Sequence, residues 1–371
     1  MRWLAAPTVL AAVSVSASVS VVPGGPVTAT GPLTLPLRSS GAAPVIAVLA
    51  LNEGTETTDF LVPHAVLRQA QVGVVEAVAP RAGRVVLMPA LQVDVTRDFA
   101  SFDAAYPAGA DIVVVPALHT DDDPAVVAWL QRQAARGAVV VGVCAGARVL
   151  GQAGLLDGRS FTGHWYDRST LLRRHPGASH VPDLRYLADG PVVTTTGVSA
   201  SLPVSLAIVE ALAGTDRARA VANELGLVSW RATHRSGQFG LGPAHLWTLT
   251  TNTVLFWRHE RIEIPVVDGA DDVALAFVAD AWSRTYRSSA RAVHAQAPGV
   301  RLRSGLLLRV VPPGALAVQA PMAQDLSAAC VLSRSLQAIG QRYGDATRQW
   351  VATQLEYDEL LEGCAPSEVL R

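Results

Sequence analysis

From Pro44 onward, short runs of β-branched residues alternate with segments whose apolar positions recur at helical spacing. Runs of this kind read as strands buried on both faces, and helices between them read as crossovers, so the pattern predicts a parallel sheet covered on both sides. The predicted strands are Val45–Leu51, Gly73–Ala79, Asp111–Pro116 and Ala138–Val143, with helices over Thr58–Ala70 and Pro124–Gly137. Asp121, Asp122, Asp123 and Pro124 supply carboxylates and a pre-set φ to the start of the second helix, and Gly137 ends it. Beyond Val143 come a helix over Ala145–Ala153, strands at Phe161–Trp165 and Val192–Gly197, and helices Leu202–Ala213 and Thr215–Leu225. The fold expected is α/β, a flavodoxin-like three-layer α/β/α sandwich.

The tail of the chain echoes that unit. Ile262–Asp271 reads like Val45–Glu56, and Ser335–Leu355 reads like Ser205–Leu225, but the interval between the two landmarks is roughly 85 residues shorter. The expectation is a truncated, degenerate second copy without a catalytic centre. The division predicted is a signal-like segment and linker over 1–43, a first domain over 44–227 and a C-terminal half-repeat over 228–371.

Composition narrows the function. The 371 residues carry 30 basic and 31 acidic side chains, well mixed, so no basic stripe offers itself to nucleic acid. Cys144, Cys330 and Cys364 are too few and too scattered for a disulfide framework or zinc site, which leaves a single thiol with a task as the simpler reading. Met1 and Arg2 precede an Ala/Ser/Val-rich stretch to Val22, followed by a Pro/Gly/Thr-rich run. This predicts export, with cytoplasmic placement as the alternative and membrane attachment only if the segment is not cleaved.

The chemistry gathers at Val141-Gly142-Val143-Cys144-Ala145-Gly146-Ala147, a strand followed at once by a helix. A nucleophile there sits on a strained turn, small neighbours allow close approach, and the helix N-terminus is expected to lower the thiol pKa.

That segment resembles the DJ-1/PfpI family of the class I glutamine amidotransferase-like superfamily. So do Ala153-Gly154-Leu155-Leu156-Asp157-Gly158-Arg159, Thr162-Gly163-His164-Trp165 and Thr196-Gly197-Val198-Ser199-Ala200 followed by Ser205–Glu210. The closest flavour is the amidase-like sensing half of AraC-type, GlxA-like regulators, without their DNA-binding half. The resemblance implies that Glu56, with Glu53 as fallback, hydrogen-bonds the Cys144 sulfur while keeping its own proton, and that His164 serves as general base. Ala145, Ala117 and Leu118 are the oxyanion-hole candidates, and Trp165 and Ser199 the pocket candidates.

Three departures weaken a hydrolytic reading. Ala145 replaces the histidine that protease-like members carry after the cysteine, Val115-Pro116-Ala117-Leu118 replaces a Gly-Gly turn, and Ser201–Val204 lacks an acid. The functions that follow are a cofactor-free hydrolase, hydratase or glyoxalase-like lyase acting on a small electrophile, a non-enzymatic ligand or redox sensor, or an interaction protein. The partner expected is a small molecule, with the chain forming either a homodimer or an intramolecular pseudo-dimer.

Overall fold

The computed structural model describes residues 31–38, 42–315, 317–320 and 326–357. The signal-like stretch to residue 30 and Cys364 lie outside them. The first half contains β1 (Val45–Leu49), α1 (Thr57–Ala70), β2 (Val74–Ala79), β3 (Gly83–Met88), β4 (Gln92–Val95), α2 (Phe99–Ala105), β5 (Ile112–Val115), α3 (Pro124–Ala135), β6 (Val139–Gly142), α4 (Gly146–Gln152), α5 (Arg168–Arg174), β7 (Tyr186–Asp189), β8 (Val192–Thr195) and α6 (Ser201–Leu225). Its seven-stranded sheet runs β7-β8-β6-β5-β1-β2, ending on the short strand Arg97–Asp98. Every neighbouring pair is parallel except β7 with β8. The α/β sandwich expected from the sequence is the fold observed.

The physical reason is visible in the strands. Val45–Leu49, Ile112–Val115 and Val139–Gly142 are buried along almost their whole length, because helices cover both faces and each β-branched side chain meets one of them. On one face Trp129 stacks on Phe99 at 4.5 Å between ring centres and meets Phe102 edge-on. Asp123 caps α3 through the N–H groups of Ala125 and Val126, with Pro124 in its first turn and Gly137 (φ 89°) beyond its end, as the sequence predicts.

The remainder folds as α7 (Pro243–Val254), β9 (Glu260–Pro265), α8 (Asp272–Ser283), β10 (Ser288–Val293), β11 (Gly299–Arg301), β12 (Leu307–Arg309), β13 (Val318–Gln319), α9 (Ala328–Tyr343) and α10 (Asp345–Leu355). Strand β9 lies parallel between β10 and β13, as β1 lies between β2 and β5. Gly214 (φ 83°, ψ 168°) kinks α6, and Gly344 (φ 92°, ψ 159°) separates α9 from α10.

The two halves share one core rather than meeting at a polar linker. Helix α8 packs along α1, and β12 pairs antiparallel with β4, joining two hairpins into the five-stranded sheet β11-β12-β4-β3 with Thr55–Glu56. Leu61, Val66, Leu275, Val278, Leu332 and Ile339 belong to one contiguous buried cluster. Cys330, buried at the start of α9, is disulfide-bonded, with its partner outside the described residues. The sequence pointed to no disulfide framework, and spacing along the chain does not say which thiols the fold brings together.

Among the described residues, the one helix long and apolar enough to cross a membrane is Val198–Leu225, and 67% of its most apolar stretch is buried inside the protein.

Candidate active site

Strand β6 ends at Gly142 and α4 begins at Gly146, so Cys144 sits on the turn between them with φ 53°, a left-handed conformation uncommon for a residue with a side chain. The turn is held by hydrogen bonds. The Val143 N–H donates to the Val115 carbonyl at 2.9 Å, and the Cys144 N–H donates to the Thr195 hydroxyl at 2.9 Å. Gly146 is required for close approach, since a Cβ there would stand 2.1 Å from the Val115 carbonyl oxygen. Gly146→Ala is therefore expected to cost about 3 kcal/mol, read as a shift in the urea midpoint with an unchanged slope.

The electrostatics differ from the expected activated thiolate. Cys144 is a free cysteine, 6% exposed. Burial pushes its thiol well up from the ordinary range, and Asp59, Asp167 and Glu56 push the same way, while Arg284 opposes them. Helix α4 has only seven residues, and its dipole does not offset three nearby acids. The helix start therefore does not lower this thiol as the sequence predicts.

A carboxyl that the resemblance did not single out, Asp59, stands beside Glu56 in the first turn of α1. Asp59 is fully buried, and burial raises its carboxyl to about 7. Its Oδ2 accepts the Ala117 N–H at 3.2 Å and its Oδ1 accepts the Ser201 hydroxyl at 3.3 Å. Among the acids acting on the thiol it ranks first. The available signal was an acid in the first turn of α1, immediately before the buried run Phe60-Leu61-Val62.

Glu56 has other work. One oxygen accepts the Asp59 N–H at 2.6 Å, capping α1, and the other receives Arg284 at 2.8 Å. Burial first, then Asp280 and Asp59, raise its carboxyl well above the usual range, while Arg284 pulls it down. Arg284 also pairs with Asp280 at 2.5 Å, and the Thr58 hydroxyl donates to Asp280 at 3.1 Å. Both Asp280 and Arg284 come from the second half. Glu53 is exposed and pairs with Arg81.

The Ala117 N–H is committed to Asp59, which removes it as a free oxyanion donor; a buried carboxylate took the donor that the missing Gly-Gly turn would have freed. Leu118 bridges Thr55, and Ala145 stands at the start of α4. Neither nitrogen of His164 faces the elbow as a free base. Nδ1 accepts the Tyr166 N–H at 3.3 Å, so Nε2 carries the proton and donates to the Gln354 carbonyl at 3.0 Å. Trp165 and Ser199 meet the C-terminal segment: the Trp165 indole donates to the Thr353 carbonyl at 2.9 Å, and the Ser199 hydroxyl to the Glu356 carbonyl at 2.6 Å. Among the described residues no group of His, Cys, Asp and Glu is arranged to hold a metal.

The DJ-1/PfpI family model matches residues 45–211. The chain is 33% identical over 114 residues to the HTH-type transcriptional regulator CdhR of Pseudomonas aeruginosa, covering 30% of this chain and 34% of that protein. It is 36% identical over 104 residues to the isonitrile hydratase of Pseudomonas putida, covering 28% and 44%. The Danio rerio Parkinson disease protein 7 homolog is 28% identical over 182 residues, 47% of this chain and 93% of that one. The chain therefore spans about a third to a half of the two bacterial relatives. A solved structure, Drosophila melanogaster DJ-1beta, aligns with a TM-score of 0.45 at 24% identity over 49% of this chain and 97% of its own. Residues 45–211, which hold the elbow cysteine and the parallel sheet, match the DJ-1/PfpI family model, and the chain is similar in sequence to transcriptional regulators and to a hydratase.

Proposed function

We propose that the protein is a cofactor-independent enzyme of small electrophilic metabolites, a hydratase or hydrolase in which Cys144 is the nucleophile and Asp59 carries the proton. The observation behind this reading is the buried Asp59 carboxyl, poised near neutrality and first among the charges felt by a protonated thiol. A base poised near the working pH is most effective at general catalysis. The thiol proton passes to Asp59, sulfur bonds to the electrophilic carbon, and the proton returns to the heteroatom that takes up the electron pair. Water then adds at the same carbon, and sulfur leaves as the thiol.

The second half completes this centre. Its order of strand, helix, strand, hairpin, strand and kinked helix pair follows the first half with the middle omitted, and the interval from cap Glu56 to left-handed Gln71 equals that from cap Asp271 to left-handed Tyr286. We read it as a degenerate copy occupying the place of a partner subunit. The disulfide at Cys330 and the signal-like N-terminus together support export to an oxidising compartment.

A sensing role is the second reading, favoured by the Ala117 N–H being spent on Asp59. In it a peroxide transfers one oxygen to the Cys144 sulfur and leaves as water. The experiment is a turnover screen of isocyanides, reactive aldehydes and small amides with wild type and Cys144→Ser. Turnover abolished by Cys144→Ser is the expected result. No turnover in any class, with stoichiometric peroxide oxidation of Cys144, would overturn the enzymatic reading in favour of the sensor.

A further inference from the structure

Glu356 ends α10 in the left-handed region (φ 48°, ψ 43°), which disfavours a residue with a side chain. The corresponding end of α6 is Gly226, the residue such a position favours. At 356 an acid stands instead, and it is 2% exposed.

Its carboxylate is gripped from two sides. The Trp165 N–H donates to Oε1 at 2.8 Å, the Gly197 N–H donates to Oε2 at 2.5 Å, and His234 Nε2 lies 3.7 Å from Oε2. The fit is close, since a Cβ on Gly197 would come within 2.9 Å of both the Cβ and Cγ of Glu356. Separate backbone donors for each oxygen, with an imidazole beside one of them, form a carboxylate-recognition site. An apolar residue would close the same joint without desolvating a charge.

The cradle also adjoins the elbow. Gly197 follows by two residues Thr195, whose hydroxyl holds the Cys144 N–H, so the two share one strand end within about 7 Å of chain. Trp165 and Ser199, the residues expected to line the pocket, are those that grip the tail.

We propose that Trp165, Gly197 and His234 form a carboxylate subsite of the elbow pocket, filled in the resting chain by Glu356, and that a small monocarboxylate ligand enters by displacing the last turn of α10. This deepens the proposed function by adding a carboxylate to the substrate class, and rests on that reading only for the pocket's location. The last turn acts as a tethered competitor.

Calorimetric titration with propionate tests it, using the full chain in a Cys144→Ser background so that thiol reactivity plays no part. Glu356→Gly suits the left-handed conformation and empties the cradle. It is expected to bind propionate at least tenfold more tightly than the parent, with propionamide binding to neither. A folded Glu356→Gly that binds propionate no better than the parent, or binds propionamide equally, overturns the proposal. Should that variant fail to fold, Glu356→Gln decides by the same comparison. An unreactive Cys144 would sink the enzymatic reading and leave this result standing.

Discussion

Asp59→Asn is expected to slow alkylation of Cys144 by iodoacetamide about 100-fold at pH 8, the lower end of what a positioned base contributes. In the wild type the thiol is protonated because burial and the nearby acids disfavour the thiolate, and Asp59, raised to about 7, becomes a competent base as pH climbs through that value. The alkylation rate should therefore rise in a step centred near pH 7. In Asp59→Asn that step should vanish, leaving only the slow increase due to direct ionisation of the thiol at higher pH. A step of equal size in both proteins would show that some other group takes the proton. Stability provides an independent reading. A carboxyl whose folded pKa exceeds its unfolded value stabilises the fold below the unfolded pKa, and that contribution is lost as pH rises through the folded one. Asp59→Asn should thus unfold at higher urea than the wild type above pH 7, with the difference shrinking to nothing below about pH 4.

The second large effect is expected at the seam between α1 and α8. Arg284 is the cation that Glu56 and Asp280 share, and burial and mutual repulsion hold the Glu56 carboxyl high even with the guanidinium present. Removing one member of a buried ion cluster leaves the others uncompensated, so Arg284→Ala should cost about 3–5 kcal/mol at pH 7.5. The loss should shrink towards pH 5, where the stranded Glu56 carboxyl, already raised by burial, takes up a proton. Urea unfolding of the variant at the two pH values measures this, and a loss of the same size at both would mean that Arg284 serves by packing alone. The triple variant Arg284→Ala, Glu56→Gln, Asp280→Asn should recover most of the stability, since no charge is then left buried.

The sheet was legible because its strands are continuous β-branched runs. Val45–Leu49, Ile112–Val115 and Val139–Gly142 fall inside the predicted spans, and buried strands carry this pattern irrespective of their partners. The elbow was legible for a similar local reason: Gly146 is demanded by the Val115 carbonyl, and a small residue between a strand and a helix is visible in one dimension. The surroundings of Asp59 were not. Glu56 and Asp59 lie three residues apart, and only the path of Val115–Ala117 decides that Asp59 receives the Ala117 N–H while Glu56 turns towards Arg284. The fate of His164, Trp165 and Ser199 was equally hidden, because the segment that occupies them follows some 150 to 190 positions later in the chain. Contacts of that separation leave no trace in local periodicity.

The antiparallel seam of β4 with β12 has a further consequence. A site assembled from two separate chains dissolves on dilution, whereas here both contributors are covalently joined, and tethering of this kind amounts to an effective concentration in the millimolar range or above. Arg284 consequently stays paired with Glu56, and Glu356 with Gly197, at any protein concentration. The linkage also gives the two halves different parts in the site, one holding Cys144 and the other supplying Asp280 and Arg284.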